Sequence, residues 1–274
     1  MLAVALAACG GDAGSAAPQL AAPPPARQFR LAAFQPGDTA EAGRPTDVSF
    51  RIDQPDGKPL TKYATGAGPH TGVHVLFVRD DLSTIIHHHP PVQPDGTVGD
   101  KVTFKEPGRY RVVVDAYPGA PAAQKNFQLF RWITVSGKAH AKPIPAYEPT
   151  QVVDGYKLAI EGKPALKALE AAFLSITVTD PKGRPAAFTP WYGALAHAIF
   201  FRTGTLDYFH THVCAPGASG CTSTLGGAQV TGTSQTPGKL EVGVLLPVPG
   251  TWRLFIQCKV RGKVLTAPFT LNVS

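Results

Sequence analysis

Short runs enriched in β-branched and aromatic residues recur about every ten residues along this chain, separated by Gly, Pro, Asp and Ser turn signals. In the first half they are FRLAAF, TDVSFRI, GVHVLFVR, STIIHHH, KVTFK, RYRVVVDA and FRWITV. In the second they are YKLAI, LSITVT, AHAIFFR, DYFHTH, LEVGVLL, TWRLFIQC and FTLNV. Strand-length segments with turns at this spacing predict an antiparallel β-sandwich, so the chain is expected to be all-β.

The two series match element by element. QPDGKP at 54–59 answers DPKGRP at 180–185, and PGRYRVVV at 107–114 answers PGTWRLFI at 249–256. Such ordered self-similarity indicates an internal duplication, and with it two tandem immunoglobulin-like (cupredoxin-like) sandwich domains. In each copy a Pro-Gly pair precedes an aromatic, Tyr110 or Trp252, where sandwich folds turn into a late strand. Tyr110 suits the corner hydrogen bond of immunoglobulin domains, whereas Trp252 is not expected to make it in the same way. PALKALEAAF at 164–173 has helix-forming composition and reads either as two helical turns or as a loop and strand entry.

At 274 residues, with 28 Gly and 27 Pro, the chain has the size of two turn-rich domains. Proline-rich segments set the boundaries: a tether at 10–28, a first sandwich at 29–136, a linker at 137–151 and a second sandwich at 152–274. The net charge of +7 comes from singly scattered Lys and Arg, with no basic run or helix to hold nucleic acid.

The strongest chemical signal is a repeated histidine hairpin. His74, His87 and His89 fall on His197, His210 and His212 with identical spacing, and Phe77 and Arg79 fall on Phe200 and Arg202. A tight turn at Asp80, Asp81 and Leu82 sets His74 opposite His89 and Leu76 opposite His87. The same register sets His197 opposite His212, with His210 beside it. Opposed residues share a face, so each triplet projects together, while His88 and its counterpart Thr211 point the other way. Three imidazoles so placed can converge on one ion, and the ligand type suits zinc, copper, nickel or iron. The other reading places each histidine in a core or interface, satisfied by a backbone carbonyl.

Asp115 and Gln257 occupy matching late-strand positions, where either would be a fourth ligand or a partner orienting an imidazole. His70 lies four residues before His74, but its second-copy position is Gly193, so it belongs at most to the first site. His140 falls in the linker and reads as solvated. Neutral imidazole is the binding form, so metal affinity is expected to fall as the pH drops through about 6.5.

The N-terminus, MLAVALAACGG, resembles a bacterial lipobox ending in Leu6-Ala7-Ala8-Cys9. That resemblance implies a signal peptide over 1–9, lipidation of Cys9, and an extracytoplasmic chain held to a membrane by its lipid. In an oxidising compartment Cys214 and Cys221, bracketing a short Gly/Ser/Ala loop, suit a local disulfide, which leaves Cys258 either buried or competing for one of them.

The hairpins HVLFVRDDLSTIIHHHP and PWYGALAHAIFFRTGTLDYFHTH, with the later Pro-Gly-aromatic strands, resemble bacterial secreted and lipoprotein β-sandwich proteins of the heavy-metal-associated, YtkA-like kind. The resemblance spans most of residues 29–274 and implies a β-sandwich that handles copper or another divalent metal. Val213 departs from the proline that usually follows the last histidine.

These readings converge on an extracytoplasmic, lipid-anchored protein that binds copper or zinc as a buffer or chaperone. Two alternatives stay open. One is a metal-dependent hydrolytic enzyme using an open coordination position, although no general base, nucleophile motif or dinucleotide loop accompanies the triplets. The other is a structural or adhesion module with core histidines.

Overall fold

The computed structural model describes residues 28–64, 72–119, 126–216, 224–225, 228–230 and 232–274. The lipobox-like stretch with Cys9, most of the expected tether over 10–28, His70 and Cys221 lie outside the described residues.

The first half supplies β1 (Arg30–Gln35), β2 (Thr39–Glu41), β3 (Pro45–Asp53), β4 (Val73–Arg79), β5 (Ile85–His88), β6 (Val98–Thr103), β7 (Gly108–Ala116) and β8 (Phe127–Ser136). The second supplies β9 (Thr150–Val153), β10 (Tyr156–Ile160), β11 (Ala172–Thr179), β12 (Phe188–Thr189), β13 (Ala196–Arg202) and β14 (Tyr208–Cys214). It continues through β15 (Thr224–Leu225), β16 (Ala228–Gln229), β17 (Gly232–Thr233), β18 (Lys239–Val244), β19 (Gly250–Val260) and β20 (Lys263–Val273). Among the described residues there is no helix. Residues 164–171 are irregular, tied down by a Leu166–Val273 bridge, and the strand begins at Ala172.

The first half is a sandwich of sheet β1-β3-β6 on sheet β2-β8-β7-β4-β5, the latter including a short parallel β2/β8 pair. The second half repeats this plan with β10 and β11 answering β1 and β3, and with β13, β14, β19 and β20 answering β4, β5, β7 and β8. Here β17 pairs with both β14 and β18, joining the layers into one continuous path of strands. Alternate residues point inward and form two separate cores. Phe50, Val75, Phe77, Val112 and Ile133 fill the first, and Leu158, Ile176, Phe200, Leu254 and Phe269 fill the second. The fold is two tandem immunoglobulin-like sandwiches.

Local details bear out the duplication. The two Pro/Gly turns close identically: Gly57 N–H donates to Gln54 C=O and Gly183 N–H to Asp180 C=O, both at 2.8 Å. Gly108 and Gly250 share a left-handed backbone (φ 138° and 134°), and a Cβ at either would sit 2.6 or 2.9 Å from Nε of Arg79 or Arg202. The repeated arginine and glycine therefore belong to one corner packing. The Tyr110 hydroxyl donates to Glu106 C=O at 2.9 Å, as expected of a tyrosine corner. Trp252 corrects the expectation for its position: its indole N–H makes the same four-residue reach, to Val248 C=O at 3.2 Å.

The outward faces of the two β4/β5/β7 and β13/β14/β19 sheets pack on each other. Every residue of β4 is buried, and all but Arg202 of β13. Leu76, Val78, Leu82, Ile85 and Val113 of the first sandwich form one cluster with Ile199, Phe201, Leu206 and Phe255 of the second. The Arg111 Nη1 reaches across to the carbonyl oxygens of Thr205 and Leu206 at 2.9 and 3.2 Å. The linker also docks. His140 C=O accepts from Arg79 at 3.0 Å, Lys142 N–H donates to Asp81 at 2.9 Å, and Ile144 packs on the shared cluster.

Candidate metal centre

The hairpin registers place the histidines as the sequence predicts. Leu76 pairs with His87, and His197 with His212, while Ile199 pairs with His210. His88 turns away and contacts Asp100, and Thr211 donates to Val230 C=O within its own sandwich. The His140 side chain is exposed.

The arrangement differs from two independent sites in one respect. Because the sandwiches dock face to face, both triplets enter a single interdomain cluster beside the apolar patch. His74 lies 5.2 and 5.9 Å, ring to ring, from His210 and His212, and His87 and His89 lie 5.1 and 5.8 Å from His197. Three sets have ligand nitrogens within 4.8 Å of one another: His74/His87/His89, His74/His210/His212 and His87/His197/His210. Two of the three draw on both halves. The expected second-copy set, His197/His210/His212, is not among them.

Neighbouring acceptors fix which nitrogen faces the cluster. His87 Nδ1 donates to Gln257 Oε1 at 3.1 Å across the interface, leaving Nε2 unprotonated and 3.1 Å from Nε2 of His89. Gln257 is itself oriented by donating to Thr266 Oγ1 at 3.0 Å. His197 Nε2 donates to Trp191 C=O at 3.0 Å, so its Nδ1 lone pair faces His210 Nε2 at 3.3 Å. The buried Nδ1 of His210 has no hydrogen-bond partner. For metal–nitrogen bonds of about 2.0–2.1 Å, tetrahedral geometry spaces neighbouring nitrogens by about 3.3 Å, which these separations match. A second, outer contact that orients the ring is the usual companion of a metal-bound imidazole. The donor set fits a transition metal.

Burial disfavours the charged form of four of the imidazoles. It pushes His87 and His210 well below the ordinary histidine range, with the neighbouring imidazoles adding repulsion, and it lowers His197 to about 3. His89 is lowered by burial and then by His74 and His87. For these four rings, burial shifts the competition with protons below the pH of about 6.5 expected for a free imidazole.

Gln257 contacts His87 as an orienting partner would, whereas Asp115 stands beside His74 without a hydrogen bond to it. Asp115 is buried, 4.0 Å from His74 Nδ1, and its carboxylate accepts from Gln128 (3.0 Å), Tyr208 of the other sandwich (3.3 Å), Asn126 and Tyr117 (both 3.4 Å). Burial raises its pKa to about 6 against the pull of those donors. This cage was not readable from the sequence, and neither was the aromatic lid. Tyr192 takes a left-handed backbone (φ 48°) and stacks on His89 at 3.9 Å, and Trp191 packs edge-on to His87 and His197. A non-glycine residue held at positive φ marks a constrained position, and the Pro-Trp-Tyr-Gly run before His197 is the signal that could have flagged it. A cleft of about 600 Å³ reaches the cluster here, with Ile85, His87, Trp191, Tyr192, Phe255 and Gln257 in its walls.

Cys214 is disulfide-bonded, while its expected partner Cys221 lies outside the described residues; Cys258 is free and buried.

The family model described as a domain of unknown function (DUF8832) matches residues 31–130 and 151–274. The chain belongs to this family. Each matched stretch of DUF8832 sequence carries one histidine triplet, so the cluster is built from both. No curated protein matches the chain. Among solved structures it is similar to the bacterial integrin-binding protein invasin, at 14% identity and a TM-score of 0.26, over 91% of this chain and 39% of that one. It is also similar to fibronectin(III)-like modules of CbhA from Clostridium thermocellum (12%, TM-score 0.22, 90% and 93%) and to Salmonella alpha-2-macroglobulin (15%, TM-score 0.30, 93% and 15%). The chain thus spans well under half of the invasin and alpha-2-macroglobulin chains. The sandwich assignment rests on the strand order and registers described above.

Proposed function

We propose that this protein is an extracytoplasmic, lipid-anchored metal-binding protein that handles copper or zinc as a buffer or delivery module. The observation that carries the reading is the convergence of six imidazoles from both sandwiches, with the His87 and His197 lone pairs turned into the cluster by Gln257 and the Trp191 carbonyl. Core histidines of a purely structural module would each satisfy their nitrogens outward. Here ring nitrogens face one another at 3.1 and 3.3 Å. The likeness of the hairpins to heavy-metal-associated, YtkA-like proteins points the same way, and imidazole with no thiolate ligand suits copper or zinc equally. The membrane attachment through Cys9 rests on the lipobox-like N-terminus alone.

Metal analysis of the purified chain, followed by zinc and copper titration, tests the reading. Stoichiometric binding that is lost or strongly weakened in the double variant His87→Ala/His89→Ala is the expected result. Absence of binding, or binding unchanged in that variant, would end it.

A further inference from the structure

We propose that the cluster holds one metal ion per chain, ligated by His87 of the first sandwich together with His197 and His210 of the second. This rests on the metal-binding reading above and deepens it, because it names the ligand atoms and makes the ion a link between the two domains.

Among the described residues, the three histidine sets whose ligand atoms lie within 4.8 Å overlap: any two of them share a ring, which is His74, His87 or His210. A neutral imidazole has one unprotonated nitrogen, so each ring serves one ion at a time. An ion on His87, His197 and His210 takes His87 from the set His74/His87/His89 and His210 from the set His74/His210/His212. Both of those sets are then incomplete.

The three sets differ in which lone pairs are already aimed. The Gln257 amide oxygen keeps the proton of His87 on Nδ1, and Trp191 C=O keeps that of His197 on Nε2. Contacts outside the cluster thereby turn Nε2 of His87 and Nδ1 of His197 into ready ligand atoms. Of the three sets, only His87/His197/His210 contains both. Its third member presents Nε2 to the His197 lone pair at 3.3 Å, which matches the spacing set by tetrahedral bonds of about 2.0–2.1 Å. On the other side of that ring Nδ1 of His210 is buried with no hydrogen-bond partner, so the ring's one proton can sit there while Nε2 takes the ion.

The placement of this set gives it a role. His87 and His210 occupy equivalent positions in the two hairpins, and their rings meet at 5.2 Å. Strand β5 supplies the first ligand and β13 and β14 the other two, so the ion ties one sandwich to the other. His87, Gln257 and Trp191 all stand in the wall of the cleft, which puts the ion beside it. Three protein ligands leave a fourth position for an outside ligand, and the cleft is the route by which one would arrive.

Long-range proton–nitrogen correlation NMR of the isotope-labelled full chain, recorded without metal and with Zn(II) or Cu(I), identifies the ligating ring nitrogens in the unmodified protein. The expected outcome is saturation at one ion per chain, with His87 Nε2, His197 Nδ1 and His210 Nε2 moving to metal-bound shifts. Single variants read the same assignment as affinity, because His197, His89 and His212 each belong to one set only. His197→Phe replaces the imidazole by a ring without a lone pair and should weaken binding by more than about 10-fold, the least that loss of an orienting contact alone produces, whereas His89→Phe and His212→Phe should change it little. A different set of metal-bound rings, a second ion per chain, or a loss in His89→Phe or His212→Phe as large as that in His197→Phe overturns the assignment while leaving metal binding intact. A chain that takes up neither metal removes the metal reading and this site with it.

Discussion

His87 Nδ1, on the first sandwich, lies 3.1 Å from Oε1 of Gln257, on the second. One domain therefore sets the tautomer of a histidine that the other supplies. Gln257→Leu keeps the volume of the buried side chain but removes the acceptor, and loss of such an orienting contact typically weakens metal binding about 10- to 100-fold. Competition titration against a chromophoric chelator measures this, and an unchanged affinity would show that Gln257 does not orient His87.

The pH dependence of the metal-free protein follows from the same burial. Four histidines have folded pKa values pushed down, His197 to about 3, whereas the unfolded value is about 6.5. Below 6.5 the unfolded chain binds more protons than the folded one, so stability present at neutral pH is lost as the pH falls from about 6.5 toward 3. Each such histidine contributes a slope of about 1.4 kcal/mol per pH unit. Asp115 acts in the opposite sense: its raised pKa, about 6, stabilises the fold at low pH and is lost as the pH rises through that value. One group against four leaves the histidines dominant. The thermal midpoint should fall steadily between pH 6.5 and 4, and a flat profile over that range would contradict the buried neutral cluster.

Phe201 is fully buried in the patch shared by the two sandwiches, away from the core of its own. Truncating a buried Phe to Ala costs about 3–5 kcal/mol. Phe201→Ala should lower stability by about that amount in urea denaturation and weaken metal binding as well, because it loosens the contact that brings the hairpins together. A stability loss with metal affinity untouched would mean that the cluster is held without the patch.

The two corner hydrogen bonds, Tyr110 to Glu106 and Trp252 to Val248, are each expected to contribute about 0.5–1.5 kcal/mol. Tyr110→Phe removes the first with almost no change in shape, and denaturation of that variant isolates it. Metal stoichiometry should be unaffected, since the corner lies at the far end of β7 from Asp115.

Much of this fold could be read from the chain. All the longer strands fall on the aromatic and β-branched runs, and the hairpin register followed from the turn at Asp80 to Leu82. The short strands β2, β9, β12 and β17 escaped because two to four residues are too few to show alternation. PALKALEAAF lost its helical preference to strand pairing at its end. The meeting of the two triplets was hidden for a different reason, since register fixes which face a side chain takes but not what covers that face. A trace of it was present. VHVLFVR and AHAIFFR lack the polar positions of a half-exposed strand, and Leu76, Val78, Ile199 and Phe201 on their outward faces required a partner surface.

That shared surface has a consequence for how such a chain can change over time. His74 meets His210 and His212 while His197 meets His87 and His89, so the same patch on each sandwich meets its own copy, as in a twofold homodimer. In a homodimer any substitution strikes both subunits together. Joined in one polypeptide, the partners mutate separately, and the equivalent positions Asp115 and Gln257, or Pro90 and Val213, already differ. Fusion thus lets a symmetric pocket acquire two unlike ends.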